Sequence, residues 1–243
     1  MKTGKNFNLS AIVPAHACLS DSSRKKRFFV YSCCLLFALF VPAGNMYADV
    51  FSFPLTDESE PAFQKVCAAI SGKPIVKGRF IQKKTIARLN KNFISSGEFV
   101  ISAADGIIWN TKNPYPSAAV ITGNSIIQIS ADGKRTGIQA AGNGAFDYFS
   151  QIIGALFTGN AALLRENFAV YFEATENGSW ICGFIPRDEM IRSFAAQIVL
   201  SGSDTIRSLL LHEKNGDSIS YELSDHVFAS ELTDDEKAFF TED

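Results

Sequence analysis

Beyond residue 48 the sequence holds only two cysteines, Cys67 and Cys182, and two histidines, His212 and His226. Neither histidine has a Cys or a carboxylate at metal-ligand spacing, so no metal site is expected. The sequence has no Gly-x-Ser-x-Gly elbow. It also lacks a Walker loop and a Gly-x-Gly-x-x-Gly loop. Asp132, Asp147 and Asp188 are scattered carboxylates. Gly142-Asn143-Gly144 is a flexible joint that suits a hinge as well as an anion. No catalytic constellation emerges, and neither an enzyme nor a cofactor is expected. Internal repeats and low-complexity tracts are absent too.

Positive charge is scarce after the first 48 residues. The whole chain carries a net charge of −2. Lys2, Lys5, Arg24, Lys25, Lys26 and Arg27 stand against Asp21 alone in the first 48 residues. Taking that +5 away leaves the rest at −7. An acidic domain has no electrostatic reason to bind nucleic acid or an anionic lipid surface. Cys67 and Cys182 are expected to be buried free thiols, with a disulfide as the alternative, since sequence does not give their separation.

The first 48 residues have the three parts of a secretory signal. Arg24 to Arg27 form a basic cluster, Phe28 to Val41 an uncharged apolar run, and Met46-Tyr47-Ala48 a small-residue cut site. The run is shorter than the ~20 residues of a permanent anchor. Asp49 and Val50, not a Cys, follow the cut, so no lipid-bearing first residue is expected. Residues 1–23 are long for a signal's start; a start codon assigned too far upstream is one explanation, and a long natural n-region is the other. The expected product is an exported, soluble single domain over 49–243.

The remaining chain reads mostly as strands. Glu60 to Ser71 has one apolar face (Phe63, Val66, Cys67, Ile70) and reads as a helix ended by Gly72 and Pro74. Val76 to Lys83 alternates as a strand, and Ile86 to Phe93 continues through a turn. Gly97 to Ala103 and Ile107 to Thr111 form a hairpin about Asp105-Gly106. Ser117 to Thr122 and Ser125 to Ser130 form another, and Asp132-Gly133 turns again. Phe146 to Phe157 interrupts as an apolar helix, followed by a short helix from Ala161 to Glu166. Strands resume over 168–174, 179–185, 193–201, 205–213 and 218–223, and residues 231–236 predict a last helical turn. Helices added to an antiparallel sheet make an α+β fold.

Bulky apolar residues are in excess, with 21 Phe in the chain. Phe146, Phe149, Ile153, Leu156 and Phe157 share one helical stripe. Phe99, Ile101, Trp109, Val120 and Ile127 are bulky strand residues. Periodicity alone fits a solid core and a cavity equally well.

An ordered series of motifs runs through the same region. It comprises Gly78-Arg79-Phe80-Ile81-Gln82-Lys83, Ser96-Gly97-Glu98-Phe99, Gly106 to Pro114 with Trp109 inside, and Ile121-Thr122-Gly123. The apolar helix and the strand from Trp180 to Pro186 follow in order. This series resembles the outer-membrane lipoprotein carriers (LolA-like proteins) over most of residues 60–225. The resemblance implies a strongly curved antiparallel sheet, an incomplete barrel, with a helical lid over an apolar cavity. It implies that Phe80, Phe99, Ile101, Trp109, Val120 and Ile127 line that cavity, with Phe146, Phe149, Ile153, Leu156 and Phe157 from the lid. The implied cargo is acylated lipoproteins, carried through the periplasm by a monomer from an inner-membrane transporter to an outer-membrane acceptor. A sensor or receptor of the same fold and a lipid hydrolase are the alternatives. One departure stands out: typical carriers have an Arg six residues before the hairpin Trp, where this chain has Ala103.

Overall fold

The structure is a computed structural model, and it describes residues 50–123, 125–139, 152, 154–193 and 195–241. Eleven strands form one sheet: β1 (Ile75–Ile86), β2 (Lys91–Ser102), β3 (Gly106–Asn113), β4 (Ser117–Ile121), β5 (Ser125–Ile129), β6 (Arg135–Gln139), β7 (Phe168–Ala174), β8 (Trp180–Pro186), β9 (Ala195–Gly202), β10 (Ile206–Glu213) and β11 (Ser218–Ala229). Every pairing is antiparallel, and the order is β6-β5-β4-β3-β2-β1-β11-β10-β9-β8-β7. The two meanders meet through β1 and β11, and β6 and β7 are the free ends, so the barrel stays open. The helices are α1 (Glu60–Ser71), α2 (Ala161–Asn167), α3 (Glu189–Arg192) and α4 (Asp234–Phe240). Residues 154–158 are also helical. No helix among the described residues is long and apolar enough to cross a membrane.

The sheet is curled. Ile107 on β3 and Phe172 on β7 share one buried cluster, although seven strand steps separate their strands. On a flat sheet those steps would span about 34 Å. Helix α1 bridges the gap, with Phe63, Cys67 and Ile70 in the cluster and the Phe63 ring 5.7 Å from that of Phe172. Ile152, Ala155 and Leu156 enter the same cluster from the end of the apolar helix. A curved sheet wrapped on helices is the outcome expected when both carry one apolar face.

Alternation then divides the sheet residues between two faces. Val76, Phe80, Phe99, Ile101, Ile107 and Trp109 face inward. Ile75, Val100 and Ile108 face outward and form a second cluster with Leu232, Ala229, Phe239 and Phe240. Helix α4 is therefore a cover for the convex face. A capping box joins Thr233 and Glu236 at its start. Lys77 Nζ lies 2.5 Å from Glu236 Oε2, and Arg135 donates to the carbonyls of Ala238, Phe239 and Thr241 at its end. Burial pushes the Glu236 carboxyl up, but hydrogen bonds from Lys77 and Thr233 outweigh that and hold it below the usual range.

Several expectations need adjustment. Residues 91–102 form one continuous strand, because all twelve find partners on β1. Strand β11 runs six residues past Leu223, to Ala229, beyond a bulge at Asp225, whose φ is 52°. Strand β6 was not legible from the sequence: Arg135-Thr136-Gly137-Ile138-Gln139 has little apolar alternation, as suits an edge. At the other edge, residues 53–55 shield β7, with Leu55 donating to Val170 O and Phe172 to Phe53 O.

One close approach fixes the β1-β2-β3 corner. A Cβ built on Gly97 would lie 2.0 Å from Asn110 O and 2.8 Å from Thr111 Cα. Both obstacles are backbone, so neither can swing aside. Gly97→Ala is expected to cost roughly 3 kcal/mol or more, read as a lowered urea midpoint. A loss below about 0.5 kcal/mol, the size of an ordinary surface change, would show that the corner opens freely.

Candidate functional site

The inner face has an aromatic centre. Trp109 sits between Phe80 (ring centroids 4.6 Å apart), Tyr221 (4.9 Å), Phe99 (5.8 Å) and Phe157 (6.1 Å). Register explains the gathering. Phe99 pairs with Trp109 across β2 and β3, and Gly97 opposes Phe80 across β2 and β1. With no side chain at Gly97, the Phe80 and Trp109 rings approach each other. Phe80 and Phe99 are buried, but Trp109, Phe157, Leu209, Leu211 and Tyr221 are only partly covered. The inner wall thus keeps accessible apolar surface on β3, β10 and β11.

Polar groups punctuate this wall. The indole Nε1 of Trp109 is buried and has no hydrogen-bond partner among the described residues. Gln82 is buried opposite Tyr221. Two residues further along β1, Lys84 meets Glu213 at 3.5 Å, both side chains about nine-tenths buried. Burial pushes the Tyr221 phenol up, and the nearby Glu213 charge adds to the shift. His226 packs edge-on to Phe99, with a buried Nε2 that lacks a partner among the described residues. Burial lowers its pKa, and the Arg207 charge acts in the same direction.

The thiols are both free and buried. Burial pushes Cys67 up to about 11, with the Glu60 charge adding to it. Burial, and then the neighbouring Cys67, raise Cys182 as well. Such thiols are inert at neutral pH, because the thiolate is the reactive form.

The structure brings most, though not all, of the expected wall residues together. Phe80, Phe99, Ile101, Trp109, Leu156 and Phe157 meet on the inner side. Val120 and Ile127 do not. Val120 pairs with Ile108 and Ile127 pairs with Val120, which assigns both to the outer face. The sequence hid this parity, because Ala118-Ala119-Val120-Ile121 is apolar throughout and shows no alternation. Ile121 and Ile126, opposite each other, are inward residues of that hairpin, as is Ala119 opposite Trp109. Phe146, Phe149 and Ile153 lie outside the described residues. Tyr221, Gln82, Lys84 and Glu213 were missed. Their signal was faint: polar residues at inward positions of otherwise alternating strands.

Ala103 falls in the exposed hairpin turn after β2, and its N–H donates to Pro74 O. It is not a strand residue facing the helical segment. A separate cavity of about 570 Å³ lies between α1, α2 and β7, lined by Glu60, Gln64, Arg165 and Arg187 among others. The Glu60–Arg165 pair, 2.7 Å apart, makes it a charged cleft, and none of the aromatic cluster lines it.

No curated protein matches the chain by sequence. Among solved structures it is similar to a LolA superfamily protein from Nitrosomonas europaea, at 8% identity and a TM-score of 0.41, covering 74% of this chain and 97% of that one. It is also similar to LprF from Mycobacterium bovis, at 10% identity and a TM-score of 0.40, covering 74% and 97%. A DUF1329 family protein from Desulfovibrio piger gives 10% identity, a TM-score of 0.44, and coverage of 76% and 98%. The family described as "Outer membrane lipoprotein carrier protein LolA" matches residues 74–239. That span includes all eleven strands and well over half of the sequence, so the chain belongs to the LolA family of outer-membrane lipoprotein carrier proteins.

Proposed function

We propose that this protein binds the acyl chains of lipoproteins on its inner face and carries them across the periplasm from the inner to the outer membrane. The observation that carries the proposal is the partly accessible apolar wall formed by Trp109, Leu209, Leu211 and Tyr221, with Phe157 of the helical segment 6.1 Å from Trp109. Each acyl CH₂ buried there gains about 0.8 kcal/mol. An open-edged sheet allows its helical cover to move without breaking a closed barrel. Binding of this kind requires neither a nucleophile nor a cofactor. The proposed partners are an inner-membrane transporter that releases lipoproteins and an outer-membrane acceptor.

The test is release from spheroplasts. Purified, folded protein should bring at least one acylated lipoprotein into the soluble fraction, and Leu156→Asp should lower the yield. If folded wild-type protein releases none, the carrier reading fails. If Leu156→Asp unfolds the chain, Leu209→Asn provides the second variant, since Leu209 is only partly covered.

A further inference from the structure

Charge is unevenly spread over the sheet. From Ile75 to Gly97 the chain carries Lys77, Arg79, Lys83, Lys84, Arg88 and Lys91, and no acidic residue. Three of these bases meet acids from other elements: Lys77 with Glu236, Arg79 with Asp225, and Lys84 with Glu213. The other three, Lys83, Arg88 and Lys91, form no ion pair among the described residues. They lie at the closed end of the β1-β2 hairpin. The acids in register with that end are Glu222, opposite Ile81, and Asp217, whose Oδ1 accepts from the Ala87 N–H at 3.0 Å.

The same end leaves apolar side chains in water. Ile81, Leu89, Phe93 and Ile94 are 51%, 52%, 44% and 63% exposed, four of the eight large apolar residues so exposed in the described chain. Register sends them in different directions. Ile81 and Ile94 are diagonal neighbours on the outer face, Phe93 opposes Lys84 on the inner face, and Leu89 sits in the turn. The turn's own backbone is satisfied, with Asn90 donating to Ala87 O at 3.1 Å. Apolar residues around a tip make a wedge and not a flat patch. Protein interfaces are depleted of lysine. A bilayer surface favours basic heads on apolar stems beside exposed Leu and Phe.

We propose that the closed end of the β1-β2 hairpin docks on an anionic phospholipid bilayer. Leu89, Phe93 and Ile94 enter the acyl boundary, and Lys83, Arg88 and Lys91 meet the headgroup phosphates. The acidic net charge of the domain does not oppose this, because fields fall off within a Debye length of about 8 Å. The inference does not rest on the cargo reading, since docking needs no bound acyl chain.

Vesicle sedimentation tests it, using protein expressed with its leader and recovered in the form that accumulates. Binding to vesicles containing phosphatidylglycerol should exceed binding to phosphatidylcholine vesicles and weaken with salt. Each base removed should lower partitioning about five-fold, so Lys83→Gln, Arg88→Gln and Lys91→Gln together should lose on the order of 10²-fold. Ile94→Ser, at the most exposed of the four, should also weaken binding with little risk to the fold. Lys65→Gln, on α1, should change nothing. Equal binding to both vesicle types, or wild-type binding by the triple variant, would overturn the proposal. So would attachment that requires a membrane protein.

Discussion

Lys84→Met is expected to cost about 3–5 kcal/mol of folding free energy, because it strands a buried carboxylate. Lys84 and Glu213 lie on the inner face with side chains only 9% and 12% exposed. Glu213→Gln should be similarly damaging through the orphaned ammonium. The double variant Lys84→Met/Glu213→Leu should regain most of the loss, since mutual attraction roughly offsets the desolvation of a buried pair. Urea unfolding with unchanged slope reads each value. A Lys84→Met loss under about 1 kcal/mol, the size of an exposed pair, would mean that water reaches the site. Tyr221 offers an independent readout. Its phenol is held up by burial first and by Glu213 second. Removing Glu213 should therefore lower the pH at which tyrosinate appears in a near-ultraviolet titration.

Phe80→Ala should cost a further 3–5 kcal/mol or so, the usual range for a buried Phe truncation. Phe80 is 1% exposed and packs on both Trp109 and Tyr221. The fold-preserving variant Phe80→Leu should keep most of the stability while loosening the wall. It should also reduce acyl-chain binding, followed through Trp109 emission. Val120→Ala serves as the control. Val120 is fully buried but faces outward, so its loss should lower stability and leave acyl binding unchanged. If both variants changed binding alike, the two-face assignment would be wrong.

Much of this site was legible in the sequence, and its gaps have physical causes. Helix α1 was readable to the residue because Phe63, Val66, Cys67 and Ile70 recur at helical spacing ahead of a Gly stop. The β2-β3 hairpin was equally plain, because Gly106, at a φ of 124°, is a residue that turns choose. The acidic tail looked like one helical turn, yet Phe239 and Phe240 pack it against the back of the sheet. That extension depends on a surface built by Ile75, Val100 and Ile108, which are distant in sequence.

Sequence alone determined the strand-rich architecture and, through an ordered series of motifs, the family. Local spacing and turn chemistry carry that information within a few residues. Only the tertiary structure decided the face of Val120 and Ile127, because a strand apolar on both sides has no parity to read. Only it joined Lys84 to Glu213 across β1, β11 and β10, since a buried ion pair is made by register and not by proximity in the chain. It also separated the paired bases of the β1-β2 hairpin from the unpaired ones. Net charge cannot show that difference, because it counts charges without saying where their partners lie.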